Sequence, residues 1–195
     1  MASSTSKQNE NGMTAMQFNI LQSDFANWYD NQKCLSMLKV LFRDIVGNAA
    51  EKKSTSELLN DLCTQYYIGP DNLILLRDTI SITKHFALGQ MLKKKYPSFP
   101  DVKDDIISTQ FTPHRQKLMK FGKKLTEHDV KRIDELYNSP APKMYPDAWC
   151  MISDLEKNLK IVEGKMEEFY MYLEHLNLHL ALNALKEELS TQELR

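Results

Sequence analysis

Two stretches of the chain, LLNDLCTQYYI at residues 58–68 and MISDLEKNLKI at residues 151–161, align without a gap at an offset of 93. The alignment pairs Leu59 with Ile152, Asp61 with Asp154, Leu62 with Leu155 and Ile68 with Ile161. In both stretches the apolar residues recur every three or four positions, which is typical of an amphipathic helix. Self-similarity at a fixed offset indicates two copies of one structural unit.

The similarity continues on the C-terminal side of both stretches. Leu73 falls on Met166 and Leu76 on Phe169, and one residue later in offset KHFALGQML at 84–92 faces LHLALNALK at 178–186. No segment shows the sustained alternation that is typical of a strand. The sequence therefore predicts an all-α fold of two consecutive helical bundles packed against each other, with two unrelated helical bundles as the alternative.

Glycine and proline punctuate the helical pattern and predict the domain boundaries. The predicted units are a disordered tail at 1–14, a first domain at 15–96, an apolar connector at 97–111, a second domain at 112–189 and a C-terminal tail at 190–195. Ile106, Ile107 and Phe111 are too apolar for a free linker, so we expect them to pack between the domains. One predicted helix begins at Pro70, because proline suits a first helical turn.

Two helix starts carry the pattern of a capping box, in which a hydroxyl residue is followed three positions later by an acid. These are Ser54 with Glu57 and Thr126 with Asp129.

Charge and hydropathy restrict the class of partner. The chain has 25 basic and 26 acidic residues, so no electrostatic feature favours nucleic acid or an anionic membrane. No run of 18 apolar residues is present, and the first residues lack the order of a signal peptide. We therefore expect a cytoplasmic protein whose three cysteines, Cys34, Cys63 and Cys150, are buried free thiols.

Motifs for catalysis are lacking, so the sequence predicts neither an enzyme nor a cofactor. There is no GxSxG nucleophile turn and no phosphate-binding glycine loop. Cys150 paired with a histidine would be a thiolate candidate, although its apolar neighbours favour burial. His175 and His179 are four residues apart, which would place them on one helix face with metal-ligand spacing. A small helical metal-binding protein or enzyme centred on these histidines is therefore a less favoured alternative, and we predict no metal.

Several strings resemble the death effector domain, a six-helix member of the death-fold superfamily, and the resemblance implies that each of the two bundles has six helices. LSMLKVLFRDIV at 35–46 is similar to the family's second helix. LLNDLCTQYYIGPDNLILLRDTI at 58–80 is similar to its fourth helix, the following turn and the start of the fifth. LTEHDVKRIDEL at 125–136 and ISDLEKNLKIVEGKMEEF at 152–169 repeat the scheme less clearly. The resemblance covers about residues 15–188.

Tandem pairs of this domain resemble the initiator-caspase prodomains and the FLICE-inhibitory proteins. The resemblance implies a non-enzymatic module that regulates apoptosis or death-receptor and innate-immune signalling through homotypic contacts. Implied partners are other death-fold proteins, such as an adaptor or an initiator caspase, and further copies of the chain in filaments. An adaptor of the caspase-recruitment or pyrin type is the alternative, and both promotion and inhibition of signalling stay open.

The family's charged surface cluster is altered in this sequence. It joins an acid early in the second helix to an Arg-x-Asp-Leu motif in the sixth. In the first half Lys33 stands at the acidic position and Lys84-His85-Phe86-Ala87 replaces the motif. In the second half Glu127 or Asp129 supplies the acid, but the sixth helix has Leu178-His179-Leu180-Ala181.

These altered positions, Lys33, Lys84, His85, Glu127, Asp129 and His179, are candidates for an interaction surface. Two apolar residues of the second helix, Leu35 and Phe42, join them. The helical angles do not let both turn fully inward, so we expect part of this helix to present an apolar patch to a partner.

Overall fold

The computed structural model describes residues 12–189, and this part of the chain is all-helical, as predicted. It contains ten α-helices, one 3₁₀ turn and no β-strand. The helices are α1 Ala15–Asn31, α2 Leu35–Leu41, α3 Thr55–Thr64, α4 Ile74–Thr83, α5 Phe86–Lys95, α6 Pro113–Lys124, α7 Glu127–Asn138, α8 Ala148–Lys157, α9 Glu167–His175 and α10 His179–Lys186. The 3₁₀ turn is Ala49–Glu51. The predictions for residues 1–11 and 190–195 lie outside the described residues.

The N-termini of the helices follow from local capping chemistry. Thr126 and Asp129 form the predicted box, because the Thr126 hydroxyl accepts the Asp129 N–H and the Asp129 carboxylate accepts the Thr126 N–H. Ser54 caps α3 in the same way, but the Glu57 carboxylate accepts the N–H of Lys53 instead of that of Ser54. The predicted box of Ser54 and Glu57 is therefore only half formed.

Ordered structure begins earlier than the sequence predicts. Met13 is buried, and Thr14 forms a full capping box with Gln17 at the start of α1. The predicted disordered tail at 1–14 is therefore wrong for these last residues.

The helix predicted from Pro70 begins four residues later, at Ile74. Gly69 and Asn72 exchange backbone hydrogen bonds in both directions, at 3.1 and 3.0 Å. These bonds close a tight turn that holds Pro70 and Asp71 outside the helix. Backbone pairing within the turn thus outweighs the preference of proline for a first helical position.

Helix bounds repeat at the same offset of 93 residues that aligns the sequence. Helices α3 and α8 begin at Thr55 and Ala148, and α4 and α9 begin at Ile74 and Glu167. Helices α5 and α10 begin at Phe86 and His179, which is again an offset of 93. The sequence alignment predicts an offset of 94 for this pair and is wrong there by one residue.

Left-handed backbone also recurs at this offset. Tyr66 and Leu159, just after α3 and α8, have φ angles of 61° and 57°. Lys84 and Asn177, just after α4 and α9, have φ angles of 61° and 56°. A residue in this conformation at the end of a helix turns the chain away from the axis. In each half, two successive helices are therefore followed by a residue with left-handed backbone.

Apolar packing joins the helices within each half and across the two halves. In the first half α1 packs on α3 and α5, and α4 packs on α5. In the second half α10 packs on α6 and α9, while α8 packs on α6 and α7. Helix α2 contacts both α6 and α8, and α4 contacts α6. Within residues 12–189 every helix is too short or too polar to cross a lipid bilayer.

Candidate interaction surface

Phe42 is fully buried, and the expectation that it faces a partner is wrong. Helix α2 ends at Leu41, so Phe42 leaves the helical register on which the expectation rested. Its ring lies 5.7 Å from that of Phe111 in the segment between α5 and α6. Phe42 is therefore part of the contact between the two halves of this same chain.

The connector supports this contact unevenly. Of its three predicted packing residues, Phe111 is buried, whereas Ile106 and Ile107 are half-buried and line a cleft. Ser108 is also buried, and its hydroxyl donates a hydrogen bond of 2.6 Å to the Asp78 carboxylate of α4. Gln116 of α6 donates to the backbone carbonyls of Ser108 and Phe111 at 2.9 and 2.8 Å.

An ion cluster with two buried members, Arg115 and Glu156, lies near Phe42, and sequence reasoning missed it. Arg115 of α6 is only 2% exposed, and its guanidinium donates to Asp44 at 2.7 and 3.0 Å. It also donates to Glu156 of α8 at 3.0 Å. Both carboxylates raise the Arg115 pKa and outweigh burial, which alone would lower it. The cluster thus ties the segment that follows α2 to two helices of the second half.

The other α2 candidates sit at the start of that helix. Lys33 is exposed and has a φ angle of 55°, and Leu35 is half-buried. Next to them, the Ser36 hydroxyl donates to the Asp147 carboxylate of the second half at 2.8 Å. Of the apolar pair predicted to form the patch, only Leu35 keeps any exposed surface.

Lys84 and His85 point into different surroundings. The Lys84 ammonium pairs with Asp104 and, at 2.8 Å, with Asp105. His85 is half-buried, and its Nδ1 accepts the indole N–H of Trp28 at 3.0 Å. Burial, together with the charge of nearby Lys123, lowers the His85 pKa. His85 is therefore held as a neutral packing residue, while Lys84 stays at the surface.

Trp28 also sets the tautomer of His85. Since Nδ1 accepts a hydrogen bond, the single proton of the neutral ring sits on Nε2, which lies 3.9 Å from the Cys34 sulfur. Burial and the charge of Asp147 raise the pKa of the Cys34 thiol. A protonated imidazole nitrogen facing a protonated thiol lacks the proton acceptor that activates a nucleophile.

The second-half candidates divide in the same way. Asp129 is occupied in the capping box of α7, whereas Glu127 is exposed in the first turn of that helix. His179 is exposed at the start of α10, and His175 is exposed at the end of α9. The expectation that the two histidines share one helix face is wrong, because left-handed Asn177 separates their helices.

No group of three or more metal-ligating side chains occurs between residues 12 and 189. All three cysteines are free but half-buried rather than buried. Burial and the charge of Asp147 raise the Cys150 pKa to about 11, which disfavours a thiolate there.

Two exposed apolar residues at equivalent positions are absent from the sequence-based candidates. Tyr66 is 89% exposed and Leu159 is 77% exposed, and both adopt the left-handed backbone described above. Bulky residues rarely adopt this conformation, which costs about 1–2 kcal/mol per residue. We name Tyr66 and Leu159 the turn pair. The signal in the sequence was their shared position at the offset of 93, but the exposure is visible only in the structure.

Comparison with known proteins adds no assignment: the chain matches no protein-family model, no curated protein and no solved structure.

Proposed function

We propose that this chain is a non-enzymatic, cytoplasmic interaction protein built from two death effector-like bundles. It binds other death-fold proteins and further copies of itself, and so regulates an apoptotic or innate-immune signalling assembly. The observation that carries the proposal is the repeat of helix bounds and left-handed turns at one offset in both halves. Such a repeat accords with the tandem arrangement that the sequence resemblance implies.

The turn pair supports binding by these turns. A strained, exposed apolar side chain gives no packing stabilisation to its own fold, and strain of this kind clusters at functional sites. Tyr66 and Leu159 combine strain and exposure at the same position of each half. We therefore assign the α3–α4 and α8–α9 turns to partner contact.

The proposed binding surface, which contains the turn pair, differs from the altered charged cluster. Lys84 is already paired with Asp104 and Asp105, and Asp129 is used in a helix cap. Surface ion pairs contribute little net affinity. Exposed apolar side chains are better suited to supply the buried contacts on which interface energy depends.

The test replaces the turn pair by residues that tolerate the left-handed backbone. Tyr66→Asn with Leu159→Asn keeps the turn geometry, because asparagine adopts this conformation more readily, and removes the apolar side chains. We expect the wild-type chain to form concentration-dependent assemblies in size-exclusion chromatography and electron microscopy. The double variant should stay monomeric with an undiminished unfolding free energy.

Met16→Gln is the matched control, because Met16 is 74% exposed in a regular helix of the first half. It should assemble like the wild type. Pull-down with isolated death effector, caspase-recruitment and pyrin domains separates the subfamilies. A wild-type chain that stays monomeric and captures none of these domains contradicts the proposed function. Assembly that survives in the double variant contradicts only the assignment to the turns.

A further inference from the structure

A cleft between the two halves is lined by three lysines, three carboxylates and an apolar wall. It has a volume of about 570 Å³, and its apolar wall includes Ile82 of α4, Ile106 of the connector and Met119 of α6. Lys84, Lys120 and Lys123 line it as well. A groove that shares these three lysines adds Lys124, Leu180 and Lys186.

Lys123 differs from its neighbours in what its ammonium group contacts. Its Nζ donates to the backbone carbonyl of Ile82 at 2.5 Å. Three of the other four amines have carboxylates: Lys84 has Asp104 and Asp105, Lys120 has Glu187 at 3.0 Å, and Lys186 has Glu174 at 3.0 Å. Within residues 12–189, neither Lys123 nor Lys124 forms an ion pair. A carbonyl dipole stabilises an ammonium ion less than a carboxylate does.

Charged groups from several elements surround Lys123 in the described part of the chain. His85 and Lys84 face it from the α4–α5 junction, and Asp104 and Asp105 face it from the connector. Lys120 and Lys124 lie on its own helix, Lys186 ends α10, and Glu187 and Glu188 follow it. Burial removes water from the ammonium and Lys84 repels it, which lowers the Lys123 pKa to about 8, against a weaker opposing effect of Asp104. The side chain still reaches solvent, so a reagent can approach it.

We propose that this cleft binds a small phosphate-bearing aldehyde and that Lys123 captures its carbonyl as an imine. The neutral amine attacks the carbonyl carbon and forms a C–N bond. The resulting carbinolamine loses water to give C=N, so the step needs no oxidant or reductant. Lys124, and Lys120 once its exposed pair with Glu187 opens, supply the phosphate contacts. The apolar wall covers the body of the aldehyde.

The probe is pyridoxal 5′-phosphate, with pyridoxal as the arm that lacks phosphate. The full chain is incubated with a limiting amount of either compound, the imine is reduced with borohydride, and the modified peptides are identified by mass spectrometry. We expect Lys123 to be the first lysine labelled. Labelling by the phosphorylated compound should be about tenfold faster, because a charge-assisted phosphate contact contributes an effect of that size.

The pH profile separates this site from ordinary surface lysines. Labelling of Lys123 should rise through about pH 8, whereas an ordinary lysine titrates near 10.4. Lys84→Met removes a repelling charge and frees Asp104, and both changes raise the Lys123 pKa. The rate at neutral pH should then fall, by about tenfold for each unit by which the Lys123 pKa rises.

Lys123→Arg is the deletion control, and Lys157→Arg is the matched control at an exposed lysine. We expect the labelling to be lost in Lys123→Arg and to be unchanged in Lys157→Arg. Labelling spread over surface lysines, or equal rates with both aldehydes, would overturn the proposal. An unchanged pH profile in Lys84→Met would overturn it as well.

Discussion

The two halves share helix bounds from α3 and α8 onward, yet they bridge the preceding segment with different chemistry. In the first half a 3₁₀ turn at Ala49–Glu51 follows α2, and Val46 and Ala49 are buried there. In the second half α7 and α8 are joined by a loop without a helix, residues 139–147. This loop is held by the buried carboxylate of Asp134.

Asp134 replaces apolar packing with hydrogen bonds to backbone. It accepts the N–H groups of Lys143 and Met144 at 3.0 and 2.7 Å and the side-chain amide of Asn138 at 2.9 Å. Burial alone would raise its pKa, but these bonds hold the pKa below its ordinary value. The comparison teaches that the segment before α3 or α8 can be held either by buried apolar side chains or by a buried carboxylate. Only the second choice makes stability depend on protonation.

The largest expected effect lies at the joint between the halves. Arg115→Met leaves the buried Glu156 carboxylate without its main partner, because Arg43 approaches it only to 3.9 Å. Breaking a buried ion pair from one side costs about 3–5 kcal/mol. Urea unfolding should show this loss in a single transition if the halves depend on one another. Two separated transitions would instead show that each half is stable alone.

Two control variants accompany this change. Adding Glu156→Met removes the stranded charge and should recover most of the loss. Lys143→Met disrupts the more exposed pair with Asp154 in the second half and should cost less than about 1 kcal/mol.

Asp134→Asn tests the difference in chemistry directly. Asparagine cannot accept the same set of bonds, so the variant should lose about 1–3 kcal/mol near neutral pH. A carboxylate with a lowered folded pKa stabilises the fold above its unfolded value of 3.8, and this stabilisation is lost as pH falls through the folded pKa. The difference in unfolding free energy between wild type and variant should therefore narrow below about pH 4. A difference that is constant with pH would contradict this role of Asp134.

The smallest effect compares one close contact in each half. A Cβ at Gly122 would lie 2.4 Å from the Trp149 ring, and one at Gly89 would lie 2.7 Å from a Val102 methyl. Overpacking costs about 1–3 kcal/mol, partly offset by the gain of about 1 kcal/mol for alanine in a helix. Since the indole is rigid and Val102 lies in the connector, Gly122→Ala should be the more destabilising in thermal unfolding. Gly47→Ala meets no atom within 4 Å and serves as the neutral control.

The helices and their repeat were predictable because periodicity and caps are local properties of the sequence. Thr126 with Asp129 predicted the start of α7, and the offset of 93 relates the starts of α8 and α9 to those of α3 and α4. Pro70 misled because a backbone-paired turn is set by geometry two residues away. Gly69, Asp71 and Asn72 are themselves typical turn residues, so the segment is compatible with either a turn or a helix start, and the backbone pairing decides between them.

Phe42 and Arg115 show why the surface was harder to predict than the fold. Burial of Phe42 depends on Phe111, 69 positions later in the chain. The Arg115 cluster joins residues 71 and 41 positions away. A helical pattern reports which residues face away from water, but not whether another domain or a partner covers them. The turn pair was not predicted for a related reason, because helical spacing does not show whether a tyrosine is exposed.

The left-handed turns after α3 and α8 place this sequence below the stability it can reach. Glycine at position 66 or 159 would relieve backbone strain, and natural proteins are selected for sufficient rather than maximal stability. Laboratory evolution for heat resistance alone should therefore accumulate glycine or asparagine at both positions early. Evolution under selection for binding should retain the large side chains. The two copies of one position thus offer an internal duplicate, in which selection for stability and selection for recognition favour opposite residues.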